Sequence, residues 1–132
     1  MCGGPAIFFS STMSIDCQAC EMRVAPERQK AAVSQAAILA EIAAERSRQD
    51  IKHPTSGNLP DGTGGGGGRE TWRNIAQHAC DRADREGCLT FAHVLDEEAS
   101  EALAETDPVK LREELVQVAA VCVRWIEALD RR

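Results

Sequence analysis

Residues 90–132, TFAHVLDEEASEALAETDPVKLREELVQVAAVCVRWIEALDRR, decide the fold of this chain. Asp107-Pro108 reads as a helix start, because a capping carboxylate accepts the first orphan N–H groups and proline suits the first turn. Thr90 reads as the cap of the helix before it. Only Glu105-Thr106-Asp107-Pro108 lies between them, and so short a connection packs two helices as an antiparallel hairpin. The core side of the first is expected to be Phe91, Val94, Leu95, Ala99, Ala102 and Leu103. The second is apolar almost all round from Leu115 to Ile126, interrupted by Gln117 and Arg124. A helix of that kind is expected at the centre of a bundle, with part of its surface meeting a second subunit.

Working outward, Glu70 to Arg85 predicts another helix, with Trp72, Ile75, Ala76, Ala79 and Ala83 inward and Gly87 as its terminator. A further helix is expected from Pro26 to about Gln49, on a stripe of Ala31, Val33, Ala37, Ile38 and Ile42. The fold class is therefore all-α, four main helices in a bundle, packed as an oligomer. Residues 1–25 read as an irregular leader and 26–132 as a single all-α domain. Within that domain, 53–69 reads as a flexible loop, because the five-glycine run Gly64–Gly68 is costly to order. It is not a P-loop: no strand precedes it and no Gly-Lys-Ser/Thr follows.

Composition narrows the function. Of the 132 residues 43% are hydrophobic, yet only 4% are aromatic and none is Tyr, which suits helices packed through small side chains better than a sandwich or barrel. A net charge of -6 argues against a basic surface for nucleic acid. It is compatible with an acidic pocket for a divalent cation. No run approaches the roughly 18 apolar residues of a membrane span, and Ala6-Ile7-Phe8-Phe9 is too short, and too poor in flanking basic residues, for a signal peptide. The expectation is a cytoplasmic protein that binds neither nucleic acid nor membrane. Cys80, Cys88 and Cys122 fall in or beside helices, which is not the setting of a disulfide framework. Cys17-Gln18-Ala19-Cys20 supplies only half a zinc site.

The chemistry lies in the hairpin's carboxylates. Glu98 and Glu101 are three apart, so they diverge by about 60° and about 4.5 Å of rise and point to one side. Glu114 and Gln117 repeat the spacing on the next helix. Counted from the connection at about 1.5 Å per residue, Glu101 and Glu114 lie about 6 and about 9 Å along their helices. Glu98 and Gln117 lie at about 10 and about 13 Å, so all four side chains can form one cluster. Carboxylates that close repel unless a cation shares them. A hard divalent ion with oxygen ligands, Mg²⁺ or Mn²⁺, resolves the repulsion and leaves room for water and phosphate. The competing reading is a solvated acidic face on a non-catalytic helical interaction protein. Glu97 and Glu113 suit it, whereas Glu114 shares a face with the apolar Val118, Val121 and Trp125.

Glu97-Glu98-x-x-Glu101 and, after twelve intervening residues, Glu114-x-x-Gln117 resemble the paired EExxE and ExxD motifs of the MazG-like all-α nucleoside triphosphate pyrophosphatases. That superfamily also takes in dimeric dUTPases and phosphoribosyl-ATP pyrophosphatase. The resemblance covers mainly residues 90–130. It implies a homodimer or homotetramer that cleaves a nucleoside triphosphate between its α and β phosphates with Mg²⁺ or Mn²⁺, giving a monophosphate and pyrophosphate. It implies Glu98, Glu101 and Glu114 as metal ligands, with Glu97 or Glu113 supporting them or orienting the attacking water. Phage-type members acting on dGTP make that nucleotide one candidate substrate, although no residue here specifies a base. Gln117 departs from the pattern: its carbonyl can still meet a hard cation but brings no charge. Asp50 is the candidate additional ligand to compensate, with Arg48 or Lys52 on the phosphates.

Overall fold

The computed structural model describes residues 34–132, which contain four α-helices and no strand. Helix α1 covers 34–52, α2 Gly67–Arg85, α3 Phe91–Ala104 and α4 Pro108–Asp130, with one 3-10 turn at Ser56–Asn58. The expected leader, its Cys17 and Cys20, and the expected helix start at Pro26 lie outside the described residues. None of the helices is long and apolar enough to cross a membrane.

Two compact units divide the chain, Met1–Ala40 and Glu41–Arg132. In the first, Ile38 is buried, whereas Ala37, expected on the same stripe, is exposed. In the second, the α1 residues 41–52 are exposed throughout, Ile42 and Ile51 included.

The main packing of the second unit is α2 on α3 and α3 on α4, so the middle helix is α3 and not α4. The side chains facing the contacts explain this. Ala76, Cys80 and Ala83 of α2 are buried, as are Ser100 and Ala102 of α3. Residues of that size let backbones approach closely, so α3 can be covered on two sides. Ser100, the most deeply buried polar side chain among the described residues, satisfies its hydroxyl by donating to the Glu97 carbonyl at 2.8 Å. Helix α4 buries Leu111 and Val123 but leaves Val109, Leu115 and Val116 exposed. Phe91 stacks on Trp125 with ring centroids 5.6 Å apart and planes 11° apart, which joins the start of α3 to the far end of α4. The hairpin is therefore antiparallel, and the pair adds about 0.5–1.5 kcal/mol beyond its buried area.

The helix ends follow from local chemistry. Asp107 Oδ1 accepts from Val109 N at 2.8 Å and Lys110 N at 3.2 Å, with Pro108 at the first helical position. Glu105 Oε1 accepts from Thr106 N and Asp107 N, both at 2.8 Å. Those two backbone bonds hold its carboxyl below the usual range. Thr90 caps α3, accepting from His93 N at 3.3 Å, and His93 Nδ1 accepts from Thr90 N at 3.2 Å. A histidine thus takes the place of the usual Glu or Gln in a capping box. Gly87, at φ +71, closes α2: its N–H reaches Asp84 O at 3.1 Å and Cys88 N reaches Ala83 O at 2.9 Å. Those are the two bonds of a Schellman motif.

The last residues of the expected loop 53–69 are helical. Gly67 and Gly68 enter the first turn of α2, which begins three residues before the expected Glu70. Gly64 N donates to Leu103 O at 2.9 Å, satisfying one of the carbonyls that the last turn of a helix leaves free. Gly64 has φ +74, and a Cβ there would lie 2.6 Å from Thr106 Cγ2. Gly64→Ala is expected to cost about 1–2 kcal/mol from the backbone alone, with the steric contact added. Urea unfolding of the single variant and of its combination with Thr106→Ser separates the two parts; an unchanged midpoint for Gly64→Ala would show that the loop does not support the fold.

Candidate metal centre

Glu98 and Glu101 leave α3 on one side, and the antiparallel hairpin brings Glu114 of α4 against them. All three are half-buried, and each offers an oxygen within 4.8 Å of the others. Burial is the main force on Glu98 and pushes its carboxyl above the usual range, reinforced by the charges of Glu101, Glu97 and Glu114. Glu101 is raised by burial and by Glu114 and Glu97, with Arg73 pulling the other way. Glu98 Oε2 is buried and has no hydrogen-bond partner among the described residues. Leaving such an oxygen unmatched costs free energy, and a cation at that point would remove the cost. The donor set, three carboxylates and no nitrogen or sulfur, suits Mg²⁺ or Mn²⁺.

Gln117 lies at the edge of the cluster, exposed, and its Nε2 donates to Glu114 Oε2 at 2.9 Å. The amide therefore orients a carboxylate. Gln117→Asp exchanges that donor for a charge and is expected to tighten Mn²⁺ binding about tenfold, the scale on which ligand-shell partners act. Titration calorimetry showing the wild-type affinity would place the residue outside the ligand set.

Glu97 is half-buried and lies at the Cys80 thiol, which burial foremost, and then this carboxylate, push up to about 12. Its charge acts on both Glu98 and Glu101. Glu113 is exposed on α4. Arg48 and Asp50 make their contacts within α1: Arg48 Nη2 pairs with Glu45 Oε2 at 2.6 Å and Asp50 Oδ1 with Arg46 Nη2 at 2.5 Å. Arg48 holds the Glu45 carboxyl below its usual range. Lys52 is exposed and borders a shallow depression with Arg46, Gln49 and His53. Among the described residues, Asp50 does not belong to the carboxylate group that could hold an ion.

Arg73 of α2 was not among the residues expected at the site. Its position seven residues before Cys80 puts the two about 20° apart in helical phase, so both project from one side of α2. Phase was the available signal. Trp72, its neighbour in sequence, goes elsewhere, into an open cleft of about 590 Å³ lined also by Gly64, Arg69, Ser100 and Leu103. Ser100 and Leu103 lie about 160° round α3 from Glu98 and Glu101 on average, and none of the three carboxylates lines this cleft.

No family model, curated protein or solved structure matches this chain.

Proposed function

We propose that Glu98, Glu101 and Glu114 hold Mg²⁺ or Mn²⁺ and that the chain hydrolyses a nucleoside triphosphate between its α and β phosphates, releasing a monophosphate and pyrophosphate. The observation that carries the metal reading is the buried, unpartnered Glu98 Oε2 inside a group of three carboxylates. The reaction comes from the resemblance of Glu97-Glu98-x-x-Glu101 and Glu114-x-x-Gln117 to the MazG-like motif pair. When bound, the ion polarises the phosphate oxygens and neutralises charge that develops on them. The protein's part is placement: α3 supplies two ligands from one side, the hairpin brings the third, and Gln117 fixes the orientation of Glu114. Glu97, half-buried and with its charge felt by both Glu98 and Glu101, is the carboxylate assigned to orient a water and take its proton. Glu113, exposed on α4, is left with a supporting role.

The exposed Val109, Leu115 and Val116 support self-association, as a homodimer or homotetramer, through α4. One observation favours a second reading, a helical interaction protein with a weakened metal site: an uncharged Gln117 stands where the motif has Asp.

Incubating the oligomer with each NTP and dNTP, dGTP among them, at millimolar Mg²⁺ or Mn²⁺ and resolving the products separates the readings. Monophosphate plus pyrophosphate is the expected result. Absence of turnover with every nucleotide would leave the interaction protein.

A further inference from the structure

The chain has two tryptophans, and they are used differently. Trp125 is half-buried and stacked on Phe91. Trp72 is 54% exposed and lines the cleft of about 590 Å³, together with Leu103, itself 43% exposed. Gly68, Arg69 and Trp72 are spaced three and four apart on α2 and so share one side of it, while Ser100 and Leu103 of α3 form another part of the lining. A volume of this size holds a small molecule. The π face of an indole left open to it is a surface for a second flat ring.

The rim of the cleft is glycine backbone, and it is tied down. Gly64 N donates to Leu103 O at 2.9 Å, and Arg69 Nη2 donates to Gly62 O at 3.4 Å. Gly62, Gly64, Gly65 and Gly66 have positive φ, which accounts for glycine at those four positions. Gly68 differs from them. It lies in the first turn of α2 without a positive φ, where glycine is the poorest helix former after proline. A Cβ there would meet no atom within 4 Å. Neither the backbone nor the packing of this chain calls for glycine at 68; what its missing side chain leaves is room in the cleft.

Charge sets the kind of ligand. The chain carries a net charge of -6, yet among the described residues no Asp or Glu lines the cleft, and Arg69 is the one charged group that does. The long bond to Gly62 O is the one polar contact of its side chain there. Most of the five N–H donors of an arginine are thus available to an anion, and a guanidinium fork suits carboxylate and phosphate alike.

We propose that this cleft binds a flat aromatic ring carrying an anionic group, the ring against Trp72 and Leu103 and the carboxylate or phosphate at Arg69. The site is separate from the metal reading: none of the three clustered carboxylates lines it, and it needs no cation.

The test titrates the full chain, kept in EDTA, with two matched pairs of probes: adenosine 5′-monophosphate with adenosine, and nicotinate with nicotinamide. Calorimetry gives the affinities. In a Trp125→Phe background Trp72 is the only tryptophan, so its fluorescence quenching reports the cleft itself. At least one anionic probe is expected to bind saturably, about tenfold or more tighter than its neutral partner. A response in the phosphate pair assigns a nucleotide, and one in the carboxylate pair an aromatic acid. Trp72→Ala is expected to weaken that binding by about tenfold, the scale of ring stacking on an aromatic side chain. Arg69→Gln is expected to erase the preference over the neutral partner. Gly68→Leu fills the cleft on a backbone that accepts any residue, and is expected to abolish binding with unchanged far-UV circular dichroism. If that variant fails to fold, Trp72→Ala, at an exposed position, decides. No saturable binding of either anionic probe, or binding that survives Trp72→Ala undiminished, overturns the proposal. Equal affinity for charged and neutral partners overturns the role given to Arg69.

Discussion

Glu101→Gln and Glu114→Gln are each expected to remove metal-dependent triphosphate hydrolysis while the far-UV circular dichroism stays that of the wild-type protein. Among the described residues, each carboxylate is one of three that share the cluster. Loss of a ligand forfeits several kcal/mol of charge stabilisation at the phosphates, which is about a thousandfold in rate. The fold should tolerate both changes, because amide and carboxylate have nearly the same shape. In the metal-free protein the change also removes a charge that Glu98 or Glu101 now feels as repulsion. Turnover retained at more than a tenth of the wild-type rate in both variants would move the site away from the hairpin.

The second large effect is on stability, and its sign is the reverse of most substitutions. Glu98→Gln is expected to raise the melting temperature of the metal-free protein at neutral pH. Glu98 Oε2 is buried without a partner, and an unmatched buried oxygen costs about 1–3 kcal/mol. The introduced amide can donate to Glu101 or Glu114 instead. At about 4–8 °C per kcal/mol for a domain of this size, the shift is readily measured. Mn²⁺ should raise the melting temperature of wild type and leave that of the variant almost unmoved.

The pH dependence follows from the same two groups. Folded Glu98 and Glu101 hold their protons more tightly than the unfolded chain does. Between the ordinary carboxylate value and the raised one, the unfolded state carries fewer protons, so stability falls as pH rises through that window. Glu105, held below its usual value by backbone N–H groups, has the opposite sign and loses its contribution as pH falls. Subtracting the Glu98→Gln profile from that of wild type isolates the Glu98 part. That difference is expected to fall as pH rises, and one that rises with pH would contradict the assignment.

The hairpin was legible in sequence because its determinants are local. Asp107-Pro108, Thr90 and Gly87 act on N–H and C=O groups within one turn of themselves. The spacing that brings Glu98 and Glu101 to one side is likewise a property of a single helix, and a short connection carries it across to Glu114. What escaped depends on contacts between segments. The charge of Arg73 reaches Glu101 only through the way α2 rolls against α3, which no spacing within α2 specifies. The docking of Gly64 on Leu103 has no local signal, since a glycine run shows only what conformations it permits. The prominence of α4 misled in the other direction: apolar character all round marks a helix as wanting cover, yet it is α3, with Ser100 and Ala102 small enough to be approached from two sides, that is covered. Arg48 and Asp50 satisfy each other's neighbours within α1, an outcome that i,i+3 and i,i+4 spacing favours whenever acids and bases alternate on an exposed helix.

The short connection between α3 and α4 also bears on how the protein reaches its folded state. The three carboxylates proposed as ligands fall between residues 98 and 114, so the contacts that unite them close only a small loop and carry little chain entropy. Contacts of such low sequence separation form early. The three carboxylates are therefore expected to come together as the hairpin forms. Refolding in the presence of Mn²⁺ should gain rate as well as final stability, as expected when an ion stabilises structure already present in the transition state.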